Sequence, residues 1–205
     1  NANLVGITGM ITEYNEVIRL AKVVRDESGV QIVLGGPLAT SWTEKILRNS
    51  DADIAVLGEG ERTIVRLVHA LEWDENLGSV KGIAYYNSGA VKINEKETII
   101  ENLDTIAFPA RHLLNMNKYT THHFKSFGIK IKNTKSTTMI TSRGCPYSCI
   151  FCFKDIWGNK WRGRSADNII EEISGLKRDF GYNGFVFNDD TFVIDRKRVL
   201  DFCTK

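Results

Sequence analysis

Three cysteines, Cys145, Cys149 and Cys152, lie within eight consecutive residues of this chain. Thiolates are soft ligands, so three of them on one short loop predict a site for a thiophilic metal or an iron–sulfur cluster. Structural metal sites of this kind usually take four protein ligands. Three ligands therefore suggest that one coordination position stays open, and an open position is where a metal site does chemistry.

Three types of site compete for these cysteines. A structural zinc site needs a fourth ligand, but Cys203 lies 51 residues after Cys152 on a predicted helix, where we expect a buried small apolar side chain. A redox dithiol formed by Cys149 and Cys152 would leave Cys145 without a role. A cluster with three thiolate ligands and one open iron gives all three cysteines a role.

The composition is that of an ordinary globular protein with one or two domains: 205 residues, 42% hydrophobic and 25% charged. The net charge of +2 does not favour nucleic acid, and we predict no such partner. No apolar run approaches the roughly 18 residues of a membrane span. The sparse, clustered cysteines favour a reducing, cytoplasmic compartment over a secreted disulfide scaffold. The chain starts at a predicted strand without Met and stops inside a predicted helix, so we expect an excerpt of a longer polypeptide.

Strands and helices alternate over residues 1–72, the first predicted domain. Strands are predicted at 4–7, 31–34 and 53–57. Alternation with short loops predicts an α/β fold with a partial doubly wound, Rossmann-like parallel sheet, in which ligands bind at the carboxyl ends of the strands. The helices predicted between and after these strands cover residues 12–25, with Thr12 as the N-cap, residues 43–48, and a segment ending near residue 71.

Glycines follow each of these strands, in the segments 8–10, 35–36 and 58–60. They either let a ligand approach the main chain or form tight strand-to-helix turns, and their spacing leaves both possibilities open. The run 6–12, followed at this distance by the glycine pair 35–36, resembles the later half of a cobalamin-binding domain.

This resemblance implies a set of cofactor contacts. Thr8, Met10, Gly35 and Gly36 would contact cobalamin, with Thr8 and the glycine pair beside its nucleotide tail. Met10 departs mildly from the family, in which Leu is usual. The family's Asp-x-His-x-x-Gly element is not in this sequence, and its place would precede Asn1.

Residues 73–136 are predicted to be a linker. Segments 82–86 and 90–94 flank Asn-Ser-Gly and indicate a β-hairpin. His122 and His123 lie on a polar, basic stretch, where we expect solvent-exposed side chains rather than metal ligands.

Residues 137–205 are predicted to begin a TIM-like barrel. The predicted order is a strand at 137–142, the cysteine loop, a helix at 166–180, a strand at 184–187 and a helix from about residue 196. Active sites of such barrels lie at the carboxyl ends of the strands. The cysteine loop and the pair Asp189-Asp190 both lie there, on consecutive strands.

The run 141–152 resembles the radical S-adenosylmethionine superfamily, and more closely its cobalamin-associated branch. The resemblance rests on the spacing Cys-x-x-x-Cys-x-x-Cys and on an aromatic residue directly before the last cysteine. The resemblance implies that Cys145, Cys149 and Cys152 hold a 4Fe–4S cluster whose fourth iron binds S-adenosyl-L-methionine. The reduction potential of such a cluster lies at the low end of the range for iron–sulfur clusters. Its one-electron cleavage of S-adenosyl-L-methionine yields methionine and a 5′-deoxyadenosyl radical.

The resemblance also implies roles outside the cysteines. Phe151 would pack near the adenine, with an ordinary core aromatic as the alternative. Asp189 and Asp190 would contact the amino group or ribose of S-adenosyl-L-methionine, with a helix-capping pair as the alternative. Arg162 and Arg164 would face the cofactor carboxylate or lie in a solvated basic loop.

The function implied is that of a radical enzyme fragment acting on a small-molecule substrate. Its reaction would be methyl transfer or an oxidative cyclisation like that of the anaerobic magnesium-protoporphyrin monomethyl ester cyclases. An electron donor such as flavodoxin or ferredoxin would supply the electron. Two alternatives remain open: a non-catalytic cobalamin- or metal-binding sensor module, and an isolated excerpt that is inactive because too few barrel strands are present.

Overall fold

The computed structural model describes residues 2–119, 124–126, 129–131 and 134–205. Two compact units divide the chain: Asn1–Ile100 with Ile150–Trp157, and Glu101–Cys149 with Gly158–Lys205. His122 and His123 lie outside the described residues. Within the described ranges, no helix combines the length and apolar character needed to cross a membrane.

A five-stranded sheet forms the centre of the first unit. The first three strands are parallel, and the last two are antiparallel to their neighbours. Their spatial order follows the sequence order: β1 (Leu4–Thr8), β2 (Gln31–Gly35), β3 (Ile54–Val56), β4 (Ile83–Asn87) and β5 (Ala90–Ile93). The mainly parallel α/β fold predicted from the alternation of strands and helices is confirmed.

Helices cover both faces of this sheet. Successive strand residues point to opposite faces, so Ile32 and Leu34 pack with the first three helices while Val33 packs with the fourth. The helices are α1 (Tyr14–Ser28), α2 (Gly36–Ser41), α3 (Thr43–Asn49) and α4 (Gly60–Glu72). This two-sided burial is what makes the sheet doubly wound.

The start of α1 differs from the prediction. Residues Ile11–Glu13 form a short 3-10 turn, and Thr12 is exposed rather than capping the helix. The Glu13 carboxylate accepts a hydrogen bond from the Met10 backbone N–H at 2.7 Å. This N–H precedes the 3-10 turn and has no partner within it, so the acidic side chain takes the place of a carbonyl acceptor.

The predicted hairpin is present, and it extends the first sheet. Ser88 and Gly89 both have positive φ (51° and 83°), which is the geometry of a two-residue turn that matches strand twist. We predicted this hairpin as part of a linker, but β4 pairs with β3 through the register Ile54 to Tyr85.

Among its described residues, the second unit contains three separate strand pairs and two α-helices. Its elements are the hairpin β6 (Phe124–Ser126) and β7 (Ile129–Ile131), then β8 (Ser136–Met139), β9 (Ser142–Arg143), β10 (Arg162–Gly163), α5 (Ala166–Phe180), β11 (Gly184–Phe187) and α6 (Arg196–Thr204). β8 and β11 are parallel, whereas β9 and β10 are antiparallel. The core is small and consists of Met116, Met139, Ile169, Leu176 and Tyr182.

The single strand predicted at 137–142 is split into β8 and β9. Side chains replace ladder partners at the break: Asp189 accepts the Thr141 N–H at 2.6 Å, and Arg164 donates to the Ile140 carbonyl at 3.1 Å. Because these side chains occupy the main-chain groups, strand pairing stops there and the chain turns toward the cysteine loop.

Candidate functional site

The cysteine loop leaves β9 and returns at β10, which pairs with it through Arg143 and Arg162. All three loop cysteines are thiols rather than disulfide partners; Cys145 is half-buried, while Cys149 and Cys152 are exposed. Among the described residues, no three His, Cys, Asp or Glu side chains are gathered so that they could hold a metal ion. Three thiols on one loop without regular structure, two of them exposed, are nevertheless a donor set that suits an iron–sulfur cluster.

Large apolar side chains of this loop are exposed. Ile150 and Phe151 have relative exposures of 102% and 86%, and Tyr147 reaches 58%. The alternative that Phe151 is an ordinary core aromatic is therefore wrong. Exposed apolar side chains beside cysteines fit a loop that covers a bound group, because exposed apolar patches commonly mark binding surfaces.

Asp189 and Asp190 follow β11 as predicted, but they lie in different environments. The Asp189 side chain is fully buried and accepts hydrogen bonds from Thr141 N–H (2.6 Å), Thr141 Oγ1 (2.5 Å) and Ser142 Oγ (2.8 Å). Asp190 is exposed. The alternative of a capping pair is wrong, because Asp195 accepts the Arg198 N–H and caps α6.

Arg198 balances the buried charge of Asp189. Its Nη2 lies 3.6 Å from Asp189 Oδ2 and donates to Thr141 Oγ1 at 2.7 Å. The guanidinium stands over the rings of Trp161 and Phe192, at 5.4 and 5.0 Å from their centroids. Burial lowers the pKa of Arg198, while the charges of Asp189 and Asp195 oppose that shift.

A second buried ion cluster holds the start of α5. Glu172 lies between Arg111 (2.6 Å) and Arg164 (2.5 Å), and all three side chains are at most 12% exposed. Arg164 is therefore not part of a solvated basic loop, and neither is Arg162, which is buried. Arg111, Glu172 and Arg198 were not predicted as buried, because no local sequence pattern identifies the long-range partner of a charged side chain.

Cys203 is exposed, so the predicted burial of this residue is wrong. On the same helix, Phe202 supplies the buried contact by packing edge-on against Phe187. The helix register places the aromatic ring rather than the thiol toward the core.

The strand ends of the first sheet bring together three of the four predicted cobalamin contacts. Thr8 pairs with Gly35, and Thr8 Oγ1 lies 3.4 Å from the Gly35 carbonyl. Gly36 has φ +78°, and a Cβ there would lie 2.4 Å from Thr8 Oγ1, so this position requires glycine. Met10 is 55% exposed, beside this edge in sequence.

A cavity of about 420 Å³ opens on the sheet face covered by α4. Thr8 and Gly35 line it together with Gly6, Val33 and Val56 from the sheet, and the first turns of α4 close the other side. Glycines in the strands leave the main chain accessible, which suits close approach of a ligand.

Comparison with known proteins finds similarity both for the first region and for nearly the whole chain. Residues 1–68 match the B12 binding domain family. The chain is 35% identical to an uncharacterized methyltransferase of Pyrococcus horikoshii, over 97% of this chain and 42% of that protein. It is 29% identical to the anaerobic magnesium-protoporphyrin IX monomethyl ester cyclase of Cereibacter sphaeroides, over 83% of this chain and 27% of that protein. The chain therefore spans less than half the length of both relatives.

A solved structure shares the fold. The radical S-adenosylmethionine methyltransferase TsrM from Kitasatospora setae, with cobalamin and a 4Fe–4S cluster bound, superposes with a TM-score of 0.73 at 16% identity. The match covers 100% of this chain and 40% of TsrM. The resemblance predicted from the sequence motifs is confirmed: the chain is similar to the B12 binding domain family over residues 1–68, in sequence to a methyltransferase and a magnesium-protoporphyrin IX monomethyl ester cyclase, and in fold to a radical S-adenosylmethionine methyltransferase with cobalamin bound.

Proposed function

We propose that this chain is the part of a radical S-adenosylmethionine enzyme that holds a 4Fe–4S cluster and cobalamin. The observation that carries the proposal is the loop after β9, which presents the thiols of Cys145, Cys149 and Cys152 within eight residues. When bound, the cluster would supply reductive cleavage of S-adenosyl-L-methionine to methionine and a 5′-deoxyadenosyl radical. The reaction class is methyl transfer or oxidative cyclisation of a small-molecule substrate, with flavodoxin or ferredoxin as electron donor.

The residues of the loop would bind and cover the cluster. Cys145, Cys149 and Cys152 each supply a thiolate, which leaves one iron without a protein ligand. Phe151, exposed on this loop, offers an aromatic face for the adenine. The apolar side chains of the loop would exclude water from the cluster. Asp190 is free to contact the amino group or ribose of the cofactor, whereas Asp189 already has internal partners.

Cobalamin would occupy the glycine-lined edge of the first sheet. Thr8, Gly35 and Gly36 supply main chain and one hydroxyl at the strand ends, and the exposed Met10, two residues after Thr8, would contact the cofactor. The adjoining cavity of about 420 Å³ suits the nucleotide tail because its lining mixes glycine main chain with apolar side chains.

Anaerobic reconstitution tests the cluster directly. The protein should take up about four iron and about four sulfide, the content of one 4Fe–4S cluster. Alanine at any one of Cys145, Cys149 or Cys152 should abolish this uptake, whereas Cys203→Ala, which removes an exposed thiol outside the loop, should leave it unchanged. Stoichiometric zinc without iron uptake would refute the proposal.

Product analysis separates the enzyme from a sensor. Incubation of the reconstituted protein with S-adenosyl-L-methionine and dithionite should yield methionine and 5′-deoxyadenosine. Full cluster and cobalamin content without 5′-deoxyadenosine would instead favour a non-catalytic sensor module.

A further inference from the structure

The segment after β11 holds the start of the cysteine loop at several points. The Asn188 N–H donates to the Met139 carbonyl at 2.8 Å, which continues the pairing of β11 with β8. One residue later, Asp189 accepts the main-chain and side-chain donors of Thr141 and the hydroxyl of Ser142. The main chain four residues before Cys145 is therefore fixed by the segment that follows a neighbouring strand.

This attachment lies in a buried environment that keeps it rigid. Asp189 is fully buried, and Arg198 both neutralises it and donates to the Thr141 hydroxyl. Buried charge-assisted hydrogen bonds are short and directional, so they specify positions of individual atoms. Residues 189–191 and 141–142 are thereby held as one block.

Thr191 places a hydroxyl beside the first cysteine from this block. Thr191 Oγ1 lies 3.6 Å from Cys145 Sγ, within the range of a hydrogen bond to sulfur. The carbonyl of Thr191 accepts the indole N–H of Trp161 at 3.1 Å, which fixes the main chain from which the hydroxyl projects. A hydroxyl has one proton to donate, and a thiolate is the stronger acceptor of the two possible states of the sulfur.

We propose that Thr191 is a positioning residue that donates a hydrogen bond to the Cys145 sulfur when this sulfur is a cluster ligand. The inference rests on the proposed function, because it takes Cys145 as such a ligand. Hydrogen bonds to ligand sulfurs tune the potential of iron–sulfur clusters, since they stabilise the more negative reduced state. Thr191 would therefore raise the midpoint potential of the cluster relative to a site without the hydroxyl.

The test compares Thr191→Val with Thr191→Ser. Valine keeps the shape and removes the hydroxyl, whereas serine keeps the hydroxyl. The reconstituted proteins are titrated with dithionite, and the reduced cluster is followed by electron paramagnetic resonance. We expect Thr191→Val to shift the midpoint potential downward and Thr191→Ser to restore it. Thr105→Val, at an exposed threonine of the same unit, should leave the potential unchanged.

The outcomes separate this inference from the function on which it rests. An unaltered protein that takes up no iron would overturn the proposed function itself. Full iron content with the same potential in Thr191→Val and the unaltered protein would overturn only the role of Thr191. If Thr191→Val folds but loses iron, retention of iron by Thr191→Ser supports the hydroxyl, and loss in both variants overturns it.

Discussion

The two units position their candidate cofactor residues in different ways. In the first unit, a sheet packed between apolar helices brings Thr8 beside Gly35 and Gly36, and the edge consists mostly of main-chain turns. In the second unit, the residues before Cys145 are held by buried ions, with Asp189 and Arg198 in contact with the strand end.

This difference has consequences for how each site responds to change. Hydrophobic burial is non-directional, so the edge of the first sheet depends on volume and main-chain shape. Hydrogen-bonded ions are directional, and removal of one partner leaves the other charge buried without compensation. We therefore expect the second unit to be the more sensitive to single polar substitutions and the first to changes of size.

The largest effect is expected at Glu172, which balances Arg111 and Arg164 in the second unit. Glu172→Ala leaves both guanidinium groups buried without their partner, so the unit should lose about 3–5 kcal/mol of stability. Hydrogen exchange of the α5 amides measures this loss locally. Glu171→Ala, at the exposed neighbouring residue, should change it by less than about 0.5 kcal/mol. Equally slow exchange of the α5 amides in the two variants would show that the buried ion cluster does not stabilise the second unit.

A comparable loss is expected in the first unit only when volume is removed. Leu67 is fully buried in the core of α4 with Val33 and Val56, so Leu67→Ala should cost about 2–5 kcal/mol. Exchange of the β3 amides should report the loss, with α5 as an internal reference. Val65→Ala, on the exposed face of the same helix, is the control and should have little effect. A large response at Val65 would show that the helix is held by its outer face instead.

The first unit was the easier to predict from sequence, and the comparison explains why. Apolar residues at helical spacing and short buried-type runs indicate packing directly, so β1 to β3 and the helix between the first two strands were confirmed, and Val17 and Ala21 of that helix are buried. Local sequence patterns do not show which distant strand a given strand pairs with. The pairing of Ile54 with Tyr85, which adds the hairpin to the sheet, links residues far apart in the chain.

Buried ions in the second unit are beyond such patterns. Arg198 follows Arg196 and Lys197, a run that indicates a solvated face, yet Arg198 is 7% exposed while its neighbours are exposed. The position of Asp189 at a strand end was predicted, but its inward orientation depends on Thr141, between β8 and β9, and on Ser142 of β9. Residue type gives the charge, and only the tertiary structure gives its partner.

The proposed cobalamin site consists mostly of main-chain groups, so a single added methyl group should weaken binding there. Substitution of Gly36 tests this expectation. Gly36→Ala forces a non-glycine residue to φ +78° and brings its Cβ 2.4 Å from Thr8 Oγ1, at a cost of about 1–2 kcal/mol for the backbone alone. We expect the affinity for aqua-cobalamin, followed by absorption spectroscopy, to fall by about tenfold for each 1.4 kcal/mol lost from the bound state. Gly29→Ala has the same backbone strain at φ +62° with nothing within 4 Å, so it should bind normally. Equal binding by both variants would place cobalamin elsewhere.

The smallest effect is expected at Ser165, where a neutral cap lies beside the ion cluster. Ser165 Oγ accepts the Asn168 N–H at 3.1 Å, so Ser165→Ala should cost about 1 kcal/mol and Ser165→Asp should preserve the cap. Arg164 also bonds to Asn168 Oδ1 at 2.6 Å and pairs with Glu172, which ties the first turn of α5 independently of the cap. If the ions position this helix, hydrogen exchange in Ser165→Ala should accelerate at the Asn168 amide and remain slow from Glu172 onward. Ser174→Ala, at an exposed site within the helix, is the matched control. Fraying that spreads past Glu172 would mean that the cap, and not the buried charge, positions α5.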